Sequence, residues 1–145
     1  DTAVHRERER GRGVSPMTET RTERRQAAEE GPLGRLSGAM VKIYKDRFGR
    51  GPTATRSHWA GPDTVVCELW DSFTPVERSM VQMGEHSRLR EMRLFFQHAS
   101  EAQFTAAAEE VFGRRVRAFV SGVDTRADLS IELFVFEPEG APAAG

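Results

Sequence analysis

The 145 residues suffice for one domain with a single core, and 21 basic against 22 acidic side chains leave a formal net charge of −1, which argues against a dedicated nucleic-acid surface. The charged fraction of 30% and hydrophobic fraction of 38% describe a polar tail diluting an ordinary domain. A lone Cys67 excludes an intrachain disulfide and fits a reducing compartment, no apolar run approaches the roughly 18 residues of a membrane span, and the N-terminus lacks the apolar core of a signal peptide. The expectation is a soluble, cytoplasmic protein.

Residues 1–31 alternate Arg and Glu, as in His5-Arg6-Glu7-Arg8-Glu9-Arg10, with almost no large apolar group. Such a segment cannot bury enough surface to offset its ordering entropy, so a disordered tail is expected before a single domain over 32–138 and a flexible C-terminus over 139–145. Asp1 rather than methionine opens the sequence, and Met17 reads as a natural start. Glu-Arg pairing over Thr18–Glu30 offers an extension of the first helix.

Leu33, Leu36, Met40, Ile43, Tyr44 and Phe48 recur at helical spacing, predicting a helix over 33–48. Phe48-Gly49-Arg50-Gly51-Pro52 stops it, because glycine supplies left-handed backbone and Pro52 biases Gly51 away from helical geometry. Thr53–Trp59 and Thr64–Trp70 then read as strands of a hairpin about Ala60-Gly61-Pro62-Asp63. In the second strand Val65, Cys67 and Leu69 share one face and Val66, Glu68 and Trp70 the other, so neither face is wholly polar.

Thr74-Pro75-Val76-Glu77 carries the signature of a helix start: a capping Thr, Pro in the first turn and Glu closing a capping box. A short helix to about Met83 is followed, after Gly84, by a longer one over 86–112 that ends at Gly113. Val116-Arg117-Ala118-Phe119-Val120 starts a third strand, with Arg115 and Arg117 on the face away from Val116 and Ala118. Leu129–Phe136 is the fourth, joined to it by Asp124–Asp128. The order αββααββ predicts an α+β fold: a four-stranded, mainly antiparallel sheet with helices on one face.

These junctions resemble a bacterial family of small proteins labelled Na-translocating decarboxylase-like, or MpsC-like after the C component of a membrane-potential-generating system. The resemblance covers about residues 33–137 and rests on Phe48-Gly49-Arg50-Gly51-Pro52, Phe73-Thr74-Pro75-Val76-Glu77, Phe112-Gly113 and Val123-Asp124-Thr125. It implies a link to membrane ion or inorganic-carbon uptake, with a membrane transporter subunit as partner, and carries no catalytic residue.

No grouping of side chains announces a reaction, so the expectation is a non-enzymatic accessory or regulatory protein without metal or cofactor. Among the four histidines, His86 and His98 point to different helix faces and His58 has no ligand partner at suitable spacing. Cys67 reads as a buried thiol, Glu109-Glu110 as a solvated edge, and Arg88, Arg90, Arg93, Arg114, Arg115 and Arg117 as a solvated basic face. One anion site is suggested: Arg50 beside free amides at Gly51, joined by Arg47 and Arg56, which would make the protein a bicarbonate or carboxylate sensor. The competing reading is a glycine-shaped turn with Arg50 in water. Because one sheet cannot bury two apolar faces with helices on one side only, a homodimer covering the other face is expected.

Overall fold

Pro32 stands in the first turn of α1 (Pro32–Phe48), where its missing amide costs nothing, and Gly49 closes the helix at φ 80° with its N–H on the Lys45 carbonyl at 2.9 Å. The computed structural model describes residues 31–140. The tail predicted over 1–31 therefore lies outside the described residues apart from Gly31, which caps α1, as do the helix extension over 18–30 and the final residues 141–145. Leu36, Met40 and Tyr44, one turn apart, are fully buried, with Leu33, Ile43 and Phe48 packed around them.

β1 (Ala54–Trp59) and β2 (Thr64–Trp70) form the first hairpin. α2 (Pro75–Gln82) begins at the predicted capping box: the Thr74 amide donates to the Glu77 carboxylate at 3.0 Å and the Glu77 amide to Thr74 Oγ1 at 3.3 Å. The stretch expected as one long helix is two, α3 (His86–Ala99) and α4 (Glu101–Phe112). Ser100 divides them at φ −97° and ψ 4°, its hydroxyl donating to the Phe96 carbonyl and accepting from Arg47 of α1. β3 (Val116–Asp124) and β4 (Leu129–Phe136) complete the chain order.

All neighbours in the sheet are antiparallel, in the order β1-β2-β4-β3, so the two hairpins join through β2 and β4 at the centre. The helices cover one face: α1 lies over β1 and β2, α4 over β3 and β4, α3 over β3, and α2 rests on α3. The α+β architecture matches the expected one. Inward residues of β2 and β4 (Val65, Cys67, Leu69, Phe134, Phe136) are buried, and Phe104 and Phe119 stack beside them with ring centroids 5.8 Å apart.

Alternation in β3 departs from expectation. A bulge between Val116 and Ala118 pairs Val116 with Phe136 and Ala118 with Val135, which sets the two residues on opposite faces. The extra residue, Arg117, lets both Val116 and Phe119 reach the core three positions apart, which a regular strand forbids.

Candidate functional site

Register defines the sheet face that no helix covers among the described residues. Across its middle run His58, Val66, Leu133 and Val120, one from each strand. The neighbouring row is Arg56, Glu68, Ile131 and Gly122, and the next is Ala54, Trp70, Leu129 and Asp124. The central strands bring Val66, Leu133, Ile131 and Leu129 to this face together with Glu68 and Trp70, which is 37% exposed, while the edge strands carry Arg56 and His58 on β1 and Val120, 58% exposed, and Asp124 on β3. His58 leans on Glu68 at 3.5 Å, a diagonal cross-strand contact that sequence spacing did not suggest.

The structure takes the predicted anion-site residues in different directions. Arg50 donates to the Asp71 carboxylate at 3.2 Å and to the carbonyls of Asp71 and Phe73, tying the turn after α1 to the chain between β2 and α2. Asp71 holds a left-handed φ of 56°, and a hydrogen bond from Thr53, reinforced by Arg50, lowers its pKa below the ordinary carboxylate value. Arg47 donates to Ser100 Oγ at 2.9 Å, with its guanidinium 6.0 Å from the Phe96 ring centre. Arg56 lies on the uncovered face, across the sheet from α1. Gly51 passes close to α1, where a Cβ would sit 3.3 Å from Val41 Cγ1 and push that methyl by a few tenths of an ångström.

The supposed basic face divides as well. Arg88, Arg90, Arg115 and Arg117 are exposed, whereas Arg93 is wholly buried. Its guanidinium makes a two-edged pair with Glu77 (Nη2 to Oε1, 2.6 Å), donates to the Ser72 carbonyl, and lies 3.7 Å from the Phe48 ring centre and 5.0 Å from that of Phe73. Burial pushes the Glu77 carboxyl up, but the hydrogen bonds from Arg93 and Thr74 outweigh it and hold the group below its ordinary value. Arg114 is likewise structural, joining Asp63 at 2.6 Å to the carbonyls of Pro62 and Glu137. Glu109, expected in solvent, accepts the Val116 amide at 3.2 Å and so fastens α4 to β3.

A second buried polar group lies between the helices and the sheet. Glu132 points inward from β4 and accepts from Tyr44 Oη at 2.7 Å and from Gln97 Nε2 at 3.3 Å, both on its Oε1. Gln97 also donates to Ser121 Oγ at 2.7 Å and to the Gly122 carbonyl at 3.2 Å. Desolvation lifts the Glu132 carboxyl to about 8, lifts the adjacent Tyr44 phenol well above its ordinary value, and pushes the Cys67 thiol up to about 12.

Signals for these groups existed. Leu89, Arg93 and Gln97 step along one helical face, and Glu132 shares strand parity with Phe134 and Phe136. Among the described residues no three His, Cys, Asp or Glu gather to hold a metal, and no helix is long and apolar enough to cross a membrane.

The family described as Na+-translocating membrane potential-generating system (MpsC) matches residues 34–138. The chain belongs to the MpsC family. The match runs from the first turn of α1 to just past β4, so the MpsC region takes in the sheet, its uncovered face and both buried polar groups. Comparison with curated proteins and with solved structures returns no match.

Proposed function

We propose that this MpsC-family chain is a soluble, cytoplasmic, non-enzymatic accessory component of a Na+-translocating system, working by association through the uncovered sheet face. The observation that carries this reading is the set of apolar side chains on that face, Val66, Leu129, Ile131, Leu133 and Val120, with the helices of the described residues on the opposite side. A second copy is the occupant that the surface fits. A two-fold axis along the strands lays β1 of one copy over β3 of the other and brings Arg56 toward the partner copy's Asp124 end, so the edges are complementary in charge. Capture of a small anion has less support, because the Arg50 guanidinium already serves three protein acceptors.

Light scattering on the full chain, coupled to gel filtration, tests the association. A dimer is expected, with Leu133→Lys converting it to a monomer whose circular dichroism is unchanged. A wild-type chain that stays strictly monomeric at micromolar concentration would sink this reading.

A further inference from the structure

Glu132 is a buried carboxyl whose surroundings suit its neutral form. Among the described residues its Oε1 accepts from Tyr44 and Gln97, but its Oε2 is buried with no hydrogen-bond partner. Two more buried oxygens lack partners: Ser130 Oγ, two residues away on the same face of β4, and Oε1 of the Gln97 amide whose nitrogen touches Glu132. An ionised carboxylate has only acceptors, so it leaves Oε2 unsatisfied. A proton on Oε2 removes the charge that this buried, unpartnered oxygen would otherwise carry without a donor.

The groups facing it give no compensating charge. From α1 comes the Tyr44 phenol, from α3 the neutral Gln97, from β2 Cys67 in register opposite, from β3 Ser121 in register opposite, and from α4 the apolar Phe104. The buried cation on α3, Arg93, acts on Tyr44 but is committed to Glu77 of α2 and to Ser72. Burial without a cation is what lifts the Glu132 carboxyl to about 8.

We propose that Glu132 is a proton-binding switch: the folded protein holds one proton at this carboxyl, and its loss loosens α1 and α3 from the sheet so that water can reach the charge. Tyr44 and Gln97 are the contacts through which the two helices would feel that change. A local opening that hydrates Glu132 returns it to an ordinary carboxyl, so opening and proton release are linked. Opening then grows about tenfold per pH unit while the closed form is protonated, and levels off once the closed form has itself ionised. The switch is independent of the association surface, which lies on the other side of the sheet.

Hydrogen exchange of the full chain, corrected for the intrinsic effect of pH, reads this directly. From about pH 6 to about pH 8 the opening equilibrium for α1 and α3 amides near Tyr44 and Gln97 is expected to rise roughly fiftyfold, and less than about threefold in Glu132→Gln. Tyr44→Phe supplies a second variant should Glu132→Gln fail to fold. It removes a donor that favours the ionised form, so the pH at which opening levels off is expected to move upward. Equal pH dependence in wild type and Glu132→Gln, or no displacement in Tyr44→Phe, overturns the proposal. Suppression of the alkaline opening by sodium chloride but not by choline chloride at equal ionic strength overturns it too, since the cluster would then be a cation site.

Discussion

Replacing Glu77 by glutamine leaves the first turn of α2 nearly the same shape but removes the carboxylate that meets Arg93 on two edges. The Arg93 side chain is 0% and that of Glu77 5% exposed, so no water is at hand to solvate the guanidinium left behind. Breaking a buried pair in this way costs about 3–5 kcal/mol, because an uncompensated charge remains inside. The glutamine carbonyl can still accept the Thr74 amide, whereas Glu77→Ala also gives up that cap, worth about 1 kcal/mol more. Against a total stability of about 5–15 kcal/mol, either change consumes a large share.

Urea unfolding at neutral pH measures this as a midpoint lowered by about 1–3 M with an unchanged slope. Arg93→Met tests the other partner and carries a pH signature. In the wild type the Glu77 carboxyl lies below its unfolded value, so its stabilisation is present above about pH 4.3 and fades as pH falls through the folded value. Without Arg93, burial dominates and lifts the folded value above the unfolded one. Arg93→Met should therefore gain stability as pH drops toward 5, where the wild type does not lose the pair. A Glu77→Gln cost under about 1 kcal/mol, or one pH slope for both proteins, would refute the assignment of this pair as an anchor of α2 and α3.

Cys67 should be inert in the folded protein. With its thiol pushed up to about 12, labelling by a thiol reagent at mildly alkaline pH should run about three orders of magnitude slower than for a free thiol and follow global unfolding; fast native labelling would contradict its burial. Arg50→Ala should cost about 1–2 kcal/mol, read as a lowered melting temperature, through the lost ties to Asp71 and Phe73. Bicarbonate or acetate should shift the melting of neither protein; stabilisation of the wild type alone would restore anion capture at this junction.

Helix starts, helix stops and strand faces were legible because they depend on neighbours in sequence. Thr74 and Glu77 cap a helix from three residues apart, Gly49 and Gly113 adopt left-handed backbone, and Val65, Cys67 and Leu69 alternate inward. Ser100 was harder to read. Its hydroxyl must choose between water and the Phe96 carbonyl, and the Arg47 side chain from α1 approaches the same oxygen. The Arg117 bulge was equally hidden, since it exists to place Val116 and Phe119 against a core assembled by other segments.

Charge gave the least reliable signal. Arg50, Arg93 and Arg114 look alike as letters, yet one ties a turn, one is sealed between two phenylalanine rings, and one ties the first hairpin to Glu137 after β4. A guanidinium's role depends on the acceptors that long-range folding brings within about 3 Å, and local spacing does not encode these. Glu132 makes the same point from the acidic side: its strand parity placed it inward, but only the packing of α1 and α3 decided that it would meet a phenol and an amide instead of a cation.

The sequence by itself determined the elements, their order and their apolar faces, because backbone preference and periodic burial act over a few residues. Tertiary structure alone decided the strand order, the fate of each buried charge and the sheet face that none of the described helices covers. Those depend on which distant surfaces exclude water together, and the energy of a charge changes severalfold with the neighbours that replace that water.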